Sequence, residues 1–63
     1  MLYVIARTDQ GGGYVTREGA SSAYTQRLQN ARTFTSREAA MANRCPANEI
    51  VLSLEEAIEE AQR

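Results

Sequence analysis

The chain has no histidine, lysine or tryptophan, and only one cysteine and one proline among its 63 residues. The missing histidine and lysine remove the commonest general base, the amine that forms Schiff bases and the lysine of phosphate-binding loops. The single cysteine, Cys45, excludes a disulfide framework within the chain. We therefore predict a protein that is not an enzyme, with no catalytic residue, no cofactor and no metal site.

Long hydrophobic runs are also missing. The apolar stretch in the opening MLYVIARTDQ is interrupted by Arg7 and is too short to cross a bilayer. We predict no membrane association, and the lone thiol favours the reducing cytoplasm. The length predicts one domain, residues 1–63, whose thin core makes a partner surface a reasonable expectation.

Three consecutive glycines stand between two strand-like segments, LYVIART and YVTRE. A dinucleotide-binding fingerprint would open a helix here, and a phosphate-binding loop would need a lysine that the chain does not have. The loop DQGGG is therefore predicted to be the turn of a β-hairpin.

The next segments predict a short helix and a third strand. In SSAYTQRLQNA, Tyr24, Leu28 and Ala31 recur at helical spacing, and Thr25 is a candidate cap. The following ARTFT is short and β-branched, which predicts a strand.

Two further helices are predicted from capping signals. Thr35 with Glu38, and Ser53 with Glu56, have the spacing of a capping box. Alanine-rich SREAAMANR should end before Pro46, EIVLS is predicted as a strand, and a last helix runs from about 54 to 62. The order β-β-short helix-β-α-β-α predicts an α+β fold with a small, mostly antiparallel sheet and helices on one face.

The charges are unevenly distributed along the chain. All seven basic side chains are arginines: Arg7, Arg17, Arg27, Arg32, Arg37, Arg44 and Arg63. The last helix is predicted to have an outer acidic stripe, consisting of Glu55, Glu56, Glu59 and Glu60. Its predicted inner stripe consists of Leu54, Ala57, Ile58 and Ala61. The acidic stripe is either an ordinary solvated surface or the partner-binding site, presented to a basic groove.

The first strand has apolar residues at both odd and even positions, which point to opposite faces of the sheet. Both faces therefore need a cover. Either the two helices cover both faces, or an apolar strip is left for a second copy of the chain. In the second case a homodimer contact near Tyr3, Ile5 or Val51 is expected. Cys45 is predicted to be a small buried residue at the end of a helix.

Several of these segments together resemble a class of small proteins. YVI and GGYVT, then YT followed by Leu28 and Ala31, then ARTFTSREA are similar to bacteriophage- and prophage-encoded accessory proteins with a hairpin plus a βαβ pattern. The resemblance covers roughly residues 3 to 57 and rests on core and capping positions. It implies a stand-alone phage protein, a class in which stoichiometric inhibitors of host machinery, anti-CRISPR proteins among them, are common.

The functional prediction is a non-enzymatic module that binds a host protein or ribonucleoprotein complex. Its specific form is a phage-type inhibitor of a host defence or gene-expression complex. The alternative is a small nucleic-acid-binding accessory protein that uses its arginines.

Overall fold

The structure, a computed structural model, describes residues 1–9 and 11–62. The strands are β1 (Tyr3–Arg7), β2 (Tyr14–Val15), β3 (Tyr24–Thr25) and β4 (Glu49–Ser53). The helices are a 3₁₀ turn (Leu28–Asn30), α1 (Arg37–Asn43) and α2 (Leu54–Ala61). The predicted α+β class with a small antiparallel sheet is confirmed.

The four strands lie in the order β3-β2-β1-β4, and every pairing is antiparallel. β1 and β4 pair along their whole length, from Tyr3 opposite Ser53 to Arg7 opposite Glu49. β1 and β2 form the predicted hairpin, and the Arg7 N–H donates to the Gly13 carbonyl at 2.8 Å. Gly13 has a φ of 105°, which glycine adopts without the steric cost that other residues meet.

The third strand lies earlier in the chain than predicted. Tyr24, expected on a helix, pairs with Val15 instead, so tertiary pairing overrides its helical spacing with Leu28. The short helix begins after it, with Arg27 at the N-cap position and no side-chain cap. The predicted cap Thr25 instead accepts from the Arg27 N–H. The ARTFT segment forms two isolated bridges, and Ala31 and Phe34 are its bridged residues.

The two helices cover opposite faces of the sheet, so the prediction that they share one face is wrong. On one face, hereafter the α1 face, Ile5 packs with Phe34 and Ala40. On the other, the α2 face, Val4 packs with Ala31 and Ala57. Val4 and Ile5 are both fully buried. Because neighbouring residues of a strand point to opposite sides, an apolar β1 needs a cover on each face.

The N-terminal cap agrees with the sequence prediction in α2 and differs from it in α1. Ser53 and Glu56 form the predicted capping box of α2. The cap of α1 is Ser36 and not Thr35, and its hydroxyl accepts from the Ala39 N–H at 3.1 Å. A one-residue shift keeps an oxygen at the cap position, because Ser36 and Thr35 both provide a hydroxyl.

Candidate partner-binding surface

The acidic helix α2 follows β4 without a loop. The Ser53 hydroxyl accepts from the Glu56 N–H at 3.1 Å, and the Glu56 carboxylate accepts from the Ser53 N–H at 3.0 Å. These two bonds satisfy backbone donors that the first turn of a helix otherwise leaves without partners. Ala57, fully buried, packs in the Val4 cluster and orients the helix.

The four predicted site residues lie together on the exposed side of this helix, and we call them the acidic face: Glu55, Glu56, Glu59 and Glu60. The ion pairs in the described part of the chain are Arg7 with Asp9 and Arg32 with Glu18, so none of the four is neutralised by one. Arg63, at the end of the sequence, lies outside the described residues.

The inner stripe of α2 is narrower than predicted. Ala57 is buried and Leu54 half-buried, but Ala61 is exposed and Ile58 is 42% exposed. The buried and half-buried residues of α2 therefore lie in its first turn, and its second turn is exposed. An exposed isoleucine therefore adjoins the acidic face.

The helix dipole stabilises negative charge at only two of the four carboxylates of this face. Glu55 and Glu56 lie in the first turn, where the partial positive charge of the helix N-terminus stabilises carboxylates. The backbone hydrogen bond from Ser53, and then the bond with its side chain, lower the pKa of Glu56. Glu59 and Glu60 lie in the last turn, where the helix dipole disfavours negative charge and no basic residue is present.

Three of the seven arginines stack on aromatic rings on the opposite side of the sheet. Arg7 stacks on the Tyr24 ring at 4.4 Å, Arg32 on Phe34 at 4.7 Å and Arg37 on Tyr3 at 5.0 Å, measured from the guanidinium carbon to the ring centre. The three rings belong to the α1 side of the sheet.

The sequence reasoning missed a buried polar network on that same side. Glu49 is only 6% exposed, and its carboxylate accepts from the Tyr24 hydroxyl and from the Cys45 N–H, the latter at 2.7 Å. The bond to Glu49, followed by burial, raises the pKa of Tyr24. The sequence offered one signal, a glutamate opening an otherwise apolar strand.

The network also protects the free edge of β4. The pairing places the backbone groups of Glu49, Val51 and Ser53 on that edge. The Arg44 guanidinium donates to the Glu49 carbonyl at 2.7 Å, the Glu49 N–H donates to the Cys45 carbonyl, and the Ser53 N–H is held by the α2 capping box. Strand pairing with another chain would therefore find few open backbone groups.

Two further expectations need correction. Cys45 is exposed rather than buried, and it lies in the connection between α1 and β4 rather than within the helix. Ile5 cannot contribute to a dimer contact, because it is fully buried beneath α1. Tyr3 and Val51 are half-buried.

Neither a metal site nor a membrane span is found in the part of the chain that the structure describes. Residues 1–9 and 11–62 contain no group of three or more Cys, Asp and Glu side chains that could hold a metal ion. No helix formed by these residues is both long and apolar enough to cross a bilayer.

Comparison with known proteins gives no relative from which a function could be transferred. No family model, no curated protein and no solved structure matches the chain.

Proposed function

We propose that this protein is a non-enzymatic binding module that presents the acidic face of α2 to a basic groove on a partner protein. The specific form of the proposal is a phage-type stoichiometric inhibitor, anti-CRISPR-like in action. It would occupy the nucleic-acid channel of a host defence or gene-expression complex.

The observation that carries the proposal is the concentration of four exposed carboxylates on one short helix. Four carboxylates are exposed on two turns of helix, and none is in an ion pair with a described residue. Like charges at i and i+4, as in Glu55 and Glu59, destabilise a helix by a few tenths of a kcal/mol. A surface selected only for solubility would be expected to mix charges of both signs.

Ile58 supports a protein as the partner. It is exposed beside Glu55 and Glu59, one turn beyond Leu54. An exposed apolar side chain bordered by charged ones resembles the centre and rim of a protein interface. Nucleic acid would be repelled by the same carboxylates.

The arginines give less support to the alternative of nucleic-acid binding. Three stack on the protein's own aromatic rings, and Arg44 donates to the Glu49 carbonyl. In the described chain, the side chains of Arg17 and Arg27 make no hydrogen bond, ion pair or ring contact. Two such arginines make a small basic surface for a nucleic-acid-binding domain.

Competition with nucleic acid tests the proposal. The immobilised protein is used to capture a partner from host lysate, and the purified partner is then titrated with its own nucleic-acid ligand in the presence of the protein. We expect one protein per partner site and displacement of the nucleic acid. A partner that binds both at once would contradict occupation of the channel. Direct binding of this protein to an oligonucleotide, with an affinity that falls steeply with salt, would support the alternative.

Self-association remains a prediction of its own. With Ile5 fully buried, the expected contact lies near Tyr3 or Val51, and sedimentation at micromolar concentration would detect a dimer.

A further inference from the structure

A second surface, lined by none of the acidic-face residues, has the composition of an anion site. It is an open groove of about 290 Å³ between the end of β2, the 17–22 connection and the 3₁₀ turn. Its polar lining includes Arg17, Ser21, Ser22 and Asn30, and no carboxylate lines it.

The walls of the groove are held by hydrogen bonds. The Arg17 N–H donates to the Asn30 carbonyl at 3.2 Å, which joins one wall to the 3₁₀ turn. The Thr16 hydroxyl donates to the Ser22 carbonyl, which joins the other wall to β2. Between them, the Ala20 N–H donates to the Arg17 carbonyl across a turn in which Gly19 has a φ of 85°.

The functional groups that line these walls remain available. Among the described residues, the Arg17 guanidinium, the Ser21 and Ser22 hydroxyls and the Asn30 amide have no side-chain partner. The carboxylate nearest in sequence, that of Glu18, pairs with Arg32 at 3.0 Å and so does not neutralise Arg17.

We propose that this groove binds a phosphate group. A guanidinium surrounded by hydroxyl and amide donors, with no carboxylate among the lining residues, suits a compact oxyanion. The volume is at the lower limit of small-molecule pockets, about 300 Å³, so the ligand is inorganic phosphate or a small phosphate monoester. The site is separate from the glycine loop, which forms the hairpin turn. It is also independent of the acidic face.

Amide NMR titration of the full chain with inorganic phosphate tests the proposal, with sodium chloride at matched ionic strength as the reference. We expect saturable shifts at Arg17, Ser21, Ser22 and Asn30 with a Kd on the order of 1 mM. A second titration with a nucleoside monophosphate separates the sources. Tighter binding than that of inorganic phosphate identifies a phosphate ester as the ligand, and equal binding identifies the free anion.

Two arginine variants complete the test. Arg17→Gln should weaken phosphate binding at least about 10-fold, because Arg17 is the one charged side chain among the described residues that line the groove. Arg27→Gln removes an equally unpaired charge outside the groove lining and should leave the affinity unchanged. Equal losses in both variants, or shifts that follow sodium chloride as well as phosphate, would overturn the proposal.

Discussion

The two faces of the sheet use charge in opposite ways. On the α1 face, arginines stack on aromatic rings and a buried glutamate joins β3, β4 and the turn between α1 and β4. On the α2 side, the core is formed by Val4 and small alanines, and all four carboxylates of α2 are left exposed. Charge therefore joins several elements of the fold on the α1 side, whereas among the described residues of the α2 side only Glu56 bonds to the backbone, in the capping box.

The largest expected effect concerns burial on the α1 face. Ile5→Ala should lower the free energy of unfolding by about 3 kcal/mol, because a fully buried side chain leaves a cavity beneath α1. Ile58→Ala on α2 removes the same atoms from a 42% exposed position and should cost less than about 1 kcal/mol. Urea denaturation measures both variants, and equal losses would mean that the two faces are not built differently.

The second prediction removes one acceptor from the buried network. Glu49→Gln should cost about 1 to 3 kcal/mol, because an amide has one acceptor oxygen for the two donors that the carboxylate now serves. Glu55→Gln, on the acidic face, should change stability by no more than about 0.5 kcal/mol. A Glu49 variant as stable as its Glu55 counterpart would show that the network does not support the fold.

The same network sets a pH dependence on the alkaline side. Since the pKa of Tyr24 is raised, its contribution to stability is complete below the usual tyrosine value and is lost as pH rises through the folded value. Ultraviolet titration should therefore show late ionisation of the Tyr24 phenol, and Glu49→Gln should move its pKa back down. A Tyr24 pKa that is the same in both proteins would contradict the assignment.

On the α2 side, we expect stability to depend on pH in the acidic range. The lowered pKa of Glu56 means that its contribution is present above the usual glutamate pKa and is lost as pH falls through the folded value. The stability difference between the wild type and Glu56→Gln should thus shrink in acid, whereas Glu55→Gln provides a control outside the capping box. A difference that stays constant between pH 7 and about pH 3 would contradict this role.

The smallest expected effect is a gain in stability. Replacing Glu59 and Glu60 with arginine puts positive charge in the last turn of α2, where the helix dipole favours it, and removes the repulsion from Glu55 and Glu56. The melting temperature should rise by about 1 to 3 °C. A fall by several degrees would mean that these carboxylates support the fold.

Much of the fold could be predicted from local signals. The hairpin, the α2 capping box and the α+β class depend on glycines, on the Ser53 and Glu56 spacing and on alternating segment types, all of which are readable in sequence. The position of β3 could not be predicted, because Tyr24 has helical spacing with Leu28 but finds its partner in Val15. Pairing of this kind depends on tertiary contacts rather than local preference.

The candidate site was predicted more completely than the network opposite it. An amphipathic helix pattern is sufficient to place the four glutamates outside, and they lie there. The pattern overestimated the apolar stripe at Ile58, because periodicity does not report how much sheet is available beneath a helix. The contact of Tyr24 with Glu49 joins residues 25 positions apart, a relation that no short-range spacing encodes.

The most direct test of the acidic face compares the affinity of the captured partner for two charge-matched variants. One is Glu59→Arg with Glu60→Arg, and the other is Glu18→Arg with Glu38→Arg, which changes the net charge equally but lies outside α2. The proposal predicts that titration calorimetry finds binding at least about 100-fold weaker for the first variant and near wild-type binding for the second. Unchanged affinity in the first variant, or equal losses in both, would contradict the claim that the acidic face of α2 binds the partner.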